Sequence, residues 1–122
     1  MSLRDKILAA EDIQSEIVDV PEWGVTVEVR GMNGADRSRI LEMASASDDG
    51  RIGIGTMYVE TVIASTYDPD TGERVFSAAD RDMLMGKSAA AIDRLASVGM
   101  RLSAMDAEAQ DNAKRRFPEE SE

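Results

Sequence analysis

The stretch 17–31, IVDVPEWGVTVEVRG, constrains the fold more than any other part of the chain. On both sides of a PEWG turn, β-branched residues alternate with polar ones, which is the pattern of two half-buried strands. Pro21 presets the φ angle of a turn and Gly24 adds conformational freedom, so the stretch predicts a β-hairpin. Two strands alone are only marginally stable in water. The hairpin therefore needs a helix, a third strand or a neighbouring subunit to pack against.

Trp23, the one tryptophan of the chain, falls at the tip of this hairpin. Its large ring with a polar edge can fold back over the hairpin. It can equally project as a contact anchor, because tryptophan is enriched among the residues that dominate binding energy. The sequence leaves both arrangements open.

Hydrophobic spacing and capping residues predict helices elsewhere, with Ser2, Asn33 and Ser88 as N-caps. The stretch 56–66 has the β-branched residues of a strand but the length and lack of breakers of a buried helix, and we predict a helix. Ser77 with Asp80 three residues later resembles a capping box. The predicted helices cover 2–11, 35–46, 56–66, 78–85 and 89–105.

The last predicted helix carries a continuous apolar stripe. Gly99 lies within that stripe, although glycine inside a helix costs about 1 kcal/mol relative to alanine. We therefore expect another backbone to approach closely at Gly99. The stripe consists of Ile92, Leu95, Ala96, Gly99 and Leu102.

These elements predict an α+β fold, an N-terminal β-hairpin packed with about four to five α-helices. A polar loop over 47–55 and a DPDTG turn at 68–72 interrupt the helices, and Val75 and Phe76 are predicted to return to the core. One domain is expected over 1–105. The remainder, 106–122, has little apolar material and is expected to be a flexible, acidic, disordered tail.

Charge narrows the classes of partner. Fourteen basic against twenty-four acidic residues give a net charge of −10, a poor match for nucleic acid or for an anionic membrane surface. No run approaches the roughly 18 apolar residues of a membrane span. The chain contains no cysteine, so it has no disulfide framework, and a cytosolic protein is expected.

Catalytic and metal-site patterns are weak throughout. Histidine and cysteine are both absent, which removes the commonest general base and the thiolate nucleophile. Gly86, Lys87 and Ser88 resemble the end of a phosphate-binding loop, but Arg81 stands where its first glycine belongs. The turn at 68–72 resembles part of a calcium loop, but Ala79 replaces the glutamate at its twelfth position. The sequence predicts neither an enzyme nor a cofactor or metal site.

The order of these features resembles the tail assembly chaperones of long-tailed phages and prophages. The similarity runs over about residues 3–105 and is most recognisable in VPEWGVTVEVRGM and in a D-x-x-T-G-E-x-x-F turn that leads into a helix. Such chaperones bind the long, aggregation-prone tape measure protein and are displaced as the tail tube polymerises. Members of this family are often made in two forms, and the resemblance implies that this chain is the short one. A long form, extended by a translational frameshift, is expected to recruit the tail tube protein. The resemblance also implies a homo-oligomer on the client, in the cytoplasm of the infected bacterium and absent from the mature virion.

A structural protein of the virion, such as a head–tail or tail completion protein, is the alternative function. For a chaperone, the hairpin and the apolar face of the last helix are the expected partner-binding surfaces. Eight methionines would suit a groove that accepts varied apolar helices. The predicted partner-binding residues are Trp23, Val25, Val27, Val29, Ile92, Leu95, Gly99 and Leu102.

Overall fold

The protein is an α+β fold in which a small antiparallel sheet packs against helices, as the sequence predicts. The computed structural model describes residues 2–45 and 53–105. The elements in chain order are α1 Leu3–Ala9, β1 Ser15–Val20, β2 Val25–Arg30, α2 Gly34–Ser45, α3 Ile54–Ser65, β3 Thr66–Tyr67, a 3₁₀ turn Ala78–Asp80, α4 Arg81–Met85 and α5 Ala89–Leu102. The predicted tail and most of the predicted 47–55 loop lie outside the described residues.

The hairpin forms at the predicted place. β1 and β2 pair from Ser15 opposite Arg30 to Val20 opposite Val25. In the turn, the Trp23 N–H donates to the Val20 carbonyl over 3.0 Å. Gly24 adopts a φ of +65°, a left-handed conformation that glycine adopts without steric cost.

A third strand completes the sheet on one side. β3 follows α3 directly and places Thr66 opposite Val29 and Tyr67 opposite Glu28. The strand order is β1-β2-β3, so β1 remains at an edge. The helix prediction for 56–66 is confirmed except at Thr66, which belongs to β3, and the helix begins earlier, at Ile54.

The core lies between one face of the sheet and helices α2, α3 and α5. Alternation along β2 turns Val27 and Val29 toward this core, while the apolar stripe of α5 faces them from the other side. Glu60 of α3 is also buried, and its carboxylate is paired with Arg81 of α4 and, at 3.8 Å, with Arg39 of α2. Because a buried charge needs a partner, this cluster ties three helices together.

At Gly99, α5 packs closely against side chains of α3, whereas the sequence predicts the close approach of another backbone. A Cβ atom at this position would lie 2.8 Å from Thr61 Cγ2 and 3.1 Å from Ser65 Oγ. Any side chain at position 99 would therefore force Thr61, Ser65 or the helices themselves to shift.

The predicted caps are also present. The side chains of Ser2, Asn33 and Ser88 accept backbone N–H groups at the starts of α1, α2 and α5. Ser77 and Asp80 form the capping box, although its first turn is 3₁₀. Gly86 follows α4 as its C-cap.

The prediction that the last helix reaches residue 105 is wrong by three residues. Ala104 adopts a φ of +59°, and the Met105 N–H donates to the Met100 carbonyl over 2.8 Å. This is a Schellman-type helix end, in which Ala104 occupies the left-handed position that is usually glycine. Within the described residues, no helix is both long and apolar enough to cross a membrane.

Candidate functional site

Most of the predicted partner-binding residues lie in the core of the chain itself. Val29 and Leu95 are both 0% exposed, and Val27, Ile92 and Gly99 are also buried. The physical reason is that the stripe of α5 packs mainly against α3, and also against the inward face of β2, within the core. Partner binding at these five positions stays a prediction, and Ile92 is also one of the residues that line a surface groove beside α4.

The other three predicted residues reach the surface. Val25 is exposed at the start of β2, and Leu102 is half-buried at the end of α5. Trp23 is half-buried and packs against the core. Partner binding at these three positions remains a prediction.

Trp23 folds back while keeping part of its ring accessible. Its ring meets Phe76 edge to face, with centroids 6.3 Å apart and planes at 76°, a favoured aromatic geometry. The prediction that Phe76 returns to the core is confirmed. The same prediction is wrong for Val75, which is 44% exposed.

Beside this aromatic pair lies a groove of about 310 Å³ between the hairpin tip and α4. We call it the hairpin-tip groove, and it is lined by Glu22, Trp23, Phe76, Met83, Leu84 and Lys87. A second groove of about 200 Å³ on the other side of α4 shares Leu84 and Lys87 and adds Met85, which is 65% exposed. Helix α4 thus contributes one flexible methionine to each groove, and such side chains can adapt to varied apolar partners.

The outer face of the sheet is different in character. Arg30 stacks over the ring of Tyr67 at 4.1 Å and pairs with Glu28 at 3.0 Å. Arg74 pairs with Asp36 at 3.1 Å. A concavity lies beside these arginines, lined in part by Arg30, Asp36 and Arg74. Because the chain's own carboxylates already engage the arginines, it is a weak candidate for an anion site. The hairpin-tip groove is the stronger candidate for a partner.

Two ion pairs fasten the hairpin to α5. Arg94 donates to both carboxylate oxygens of Glu22 in the turn, over 2.6 and 2.9 Å, and Arg101 pairs with Glu16 near the start of β1. The hydrogen bonds from Arg94 lower the pKa of Glu22 from 4.5 to about 2. One wall of the groove is thereby held in place by charge as well as by packing.

We expect this pair to make a small, pH-dependent contribution to stability. A carboxylate whose pKa is lowered by folding stabilises the protein at any pH above the pKa of that group in the unfolded chain. This contribution is lost as the pH falls toward the pKa of the folded state. For Glu22 the loss runs from pH 4.5 down to about 2. Near neutral pH, the wild type should therefore unfold at a higher urea concentration than Glu22→Gln. The difference between the two midpoints should shrink as the pH falls from 4.5 to about 2.

Glu42→Gln, at an exposed position of α2, is the matched control and should show no such convergence. A constant difference between wild type and Glu22→Gln across the window would contradict the assignment. Added salt should also reduce the difference, because the pair lies at the surface.

Comparison with known proteins gives the fold a family. The family model for phage tail assembly chaperones matches residues 2–115. The chain belongs to this family. The solved structure of the bacteriophage HK97 tail assembly chaperone is similar, with a TM-score of 0.59 and 25% sequence identity over 83% of this chain and 98% of that one. No curated protein sequence matches the chain.

Membership of this family confirms the resemblance that the sequence suggests. It also implies that the client of this tail assembly chaperone is a phage tail protein. A non-enzymatic role is consistent with a chaperone family. In the described residues, no group of three or more acidic side chains is placed to hold a metal ion. The carboxylate of Asp68, in the turn that resembles a calcium loop, instead accepts the N–H groups of Asp70 and Thr71.

Sequence reasoning identified only Trp23 among the six residues that line the hairpin-tip groove of this tail assembly chaperone. Phe76, Met83, Leu84 and Lys87 follow the hairpin by about fifty residues or more, and no local pattern brings them to its tip. The available signal was the pair of methionines in the short helix α4, since a methionine on a helix surface is typical of an adaptable contact.

Proposed function

We propose that this tail assembly chaperone binds the tape measure protein, keeps it soluble during tail morphogenesis, and is displaced as the tail tube polymerises. It acts as a homo-oligomer on the client in the cytoplasm of the infected bacterium and is absent from the mature virion. A frameshifted long form recruits the tail tube protein. The observation that carries this proposal is the apolar hairpin-tip groove in a chain of the tail assembly chaperone family.

The groove suits an apolar helix face. Trp23 and Phe76 form a rigid wall, and Met83, which is 46% exposed, supplies an adaptable one. Helix-in-groove recognition uses such surfaces, with apolar anchors from successive turns of the bound helix. Lys87 at the groove can select an acidic flank of the client.

The charge of the chain supports the same role. A net charge of −10 favours solubility. Copies that cover the apolar faces of a client would give the whole assembly this negative surface. Solubility of the client would then follow from masking its apolar faces and adding charge.

The direct experiment is co-expression with the tape measure protein, which should move that client into the soluble fraction and into the same purified complex. Adding polymerising tail tube protein should release the chaperone. A client that stays insoluble and unbound would overturn the proposal. Mass spectrometry of mature virions should find at most traces of the chain, whereas a stoichiometric amount would support the alternative of a tail completion protein.

A substitution in the groove should weaken client binding without unfolding the protein. Met83→Glu places a charge in the hairpin-tip groove at a partly exposed position, so we expect at least a tenfold loss of client retained on the purified chaperone. Met43→Glu is the matched control, because Met43 is a partly exposed methionine on α2 that does not line the groove. Equal retention by both variants would place the client elsewhere.

A further inference from the structure

Strand β2 is covered by β3 along only half of its length. β3 has two residues, and its pairing with β2 ends at Tyr67, which lies opposite Glu28. The same register would place Pro69 opposite Thr26, but proline has no N–H to donate to a neighbouring strand. Within the residues that the structure describes, the first half of β2, 25–27, therefore has no strand partner on this side.

Thr26 directs its backbone N–H and C=O groups toward this open side. In an antiparallel pair, alternate residues of a strand bond to the partner, and the residues between them face the other way. The Gly31 N–H donates to the Gln14 carbonyl in continuation of the β1–β2 register. The odd-numbered residues of β2 therefore bond to β1, and Thr26 faces away from it. An unpaired donor and acceptor on a strand edge are a template for pairing with another chain.

A cleft of about 640 Å³ lies along this open half of β2. It is bounded by 25–27, by 68–70 and by Val75, and we call it the β2 cleft. Val25 and Val75 are 48% and 44% exposed. Single exposed valines are common on protein surfaces, but these two border a stretch of unpaired backbone. The β2 cleft thus combines apolar side chains with a free strand edge.

The β2 cleft carries negative charge. Asp68 and Asp70 line it, and the described residues around it include no lysine or arginine. Asp68 accepts N–H groups of its own turn, whereas the Asp70 carboxylate has no hydrogen-bond or salt-bridge partner in the part of the chain that the structure describes. Arg74, further along the chain, is engaged by Asp36 and Tyr67. A basic side chain entering the cleft would therefore meet a carboxylate that is not already paired.

We propose that the β2 cleft binds an extended segment of a partner protein in which apolar residues alternate with lysine or arginine. The backbone of this segment pairs with Thr26 and continues the line of β3 along β2. Its apolar side chains contact Val25 and Val75, and a basic side chain pairs with Asp70. In strand addition of this kind, main-chain hydrogen bonds give affinity and the neighbouring side chains give specificity. The proposal is independent of the hairpin-tip groove and of the tape measure protein.

Charge selects a basic partner over a second copy of this chain. The outer strand β1, with the sequence SEIVDV, carries two acidic residues and no basic one. Its entry into the β2 cleft would bring Glu16 and Asp19 toward Asp68 and Asp70, and like charges on paired strands are destabilising. A segment with lysine or arginine at these places gains attraction instead.

Nuclear magnetic resonance of the full chain with a synthetic peptide tests the proposal. The probe is acetyl-Lys-Val-Lys-Val-Lys-amide, titrated into isotope-labelled protein. We expect saturable shifts of the amide signals of 25–27 and slower hydrogen exchange at Thr26, because its N–H gains an acceptor. Acetyl-Glu-Val-Glu-Val-Glu-amide should cause neither change. A wild type that does not respond to the basic peptide would overturn the proposal. So would a Thr26 amide protected before peptide is added, since the chain itself or a second copy would then fill the cleft.

Two variants and a modified peptide separate strand pairing from simple charge attraction. Asp70→Lys should raise the dissociation constant of the basic peptide about fivefold or more. Glu42→Lys makes the same change in net charge at an exposed position of α2 and should leave that constant nearly unchanged. The same peptide N-methylated at its internal amides cannot donate backbone hydrogen bonds and should lose most of its affinity. Equal effects of the two variants, or full binding of the methylated peptide, would show attraction by charge alone and would overturn the proposal. Because no client is present, these results are independent of the co-expression test.

Discussion

Replacing Leu95 with alanine is expected to lower the free energy of unfolding by about 2–5 kcal/mol. Leu95 is completely buried in the core between α5, the sheet and α3. Truncating it removes apolar contacts and leaves a cavity that the packed neighbours fill only in part. Urea unfolding followed by circular dichroism measures the loss.

Leu8→Ala is the matched control, because Leu8 is 66% exposed on α1. In the absence of a partner we expect a change within about 0.5 kcal/mol. The pair of variants also decides how Leu95 acts. If Leu95→Ala kept the stability of the wild type and lost the client, Leu95 would face a partner, as the sequence alone predicts.

Replacing Gly99 with leucine is expected to lower the free energy of unfolding by about 1–3 kcal/mol, the usual cost of overpacking a core. The Cβ atom alone would lie 2.8 Å from Thr61 Cγ2, inside van der Waals contact. The rest of the leucine side chain would extend into the same helix crossing. The added leucine is the better helix former, so a loss of stability would report the tight crossing and not helix propensity.

Two further variants isolate this cause. Gly55→Ala adds a Cβ atom on α3 where no atom lies within 4 Å, and we expect it to leave stability unchanged or raise it slightly. Thr61→Ser in the background of Gly99→Ala removes the methyl group that the new Cβ atom would strike, and should restore part of the lost stability. If Gly99→Leu were as stable as the wild type, the crossing would have to be looser than the structure describes.

The parts of the fold that the sequence predicts are those fixed by local chemistry. The capping hydroxyl of Ser88 and the Ser77–Asp80 box act within three residues, and the hairpin turn closes within four. The end of α5 could not be predicted from the sequence, because Ala104 takes a left-handed conformation that alanine seldom adopts. Strand β3 could not be predicted either, because a strand of two residues shows no alternating pattern. Its pairing partners in β2 also lie nearly forty residues earlier in the sequence.

The candidate site is less predictable than the fold for a related reason. An apolar residue such as Val29 or Leu95 suits a core and a client equally well, and its sequence spacing does not say which surface covers it. The groove also joins the hairpin tip to α4 across a long stretch of chain. Only Trp23, predicted from its place at the tip, belongs to both the predicted surface and the groove that the structure forms.

The packing of Trp23 against Phe76 gives this protein a built-in optical reporter. The chain contains a single tryptophan, and that ring lies in the hairpin-tip groove. A client helix that entered the groove would exclude water from the exposed part of the indole and shift its emission to shorter wavelength. Occupancy of the groove, and its release when tail tube protein is added, could thus be followed by intrinsic fluorescence without any label, provided that the client segment contains no tryptophan.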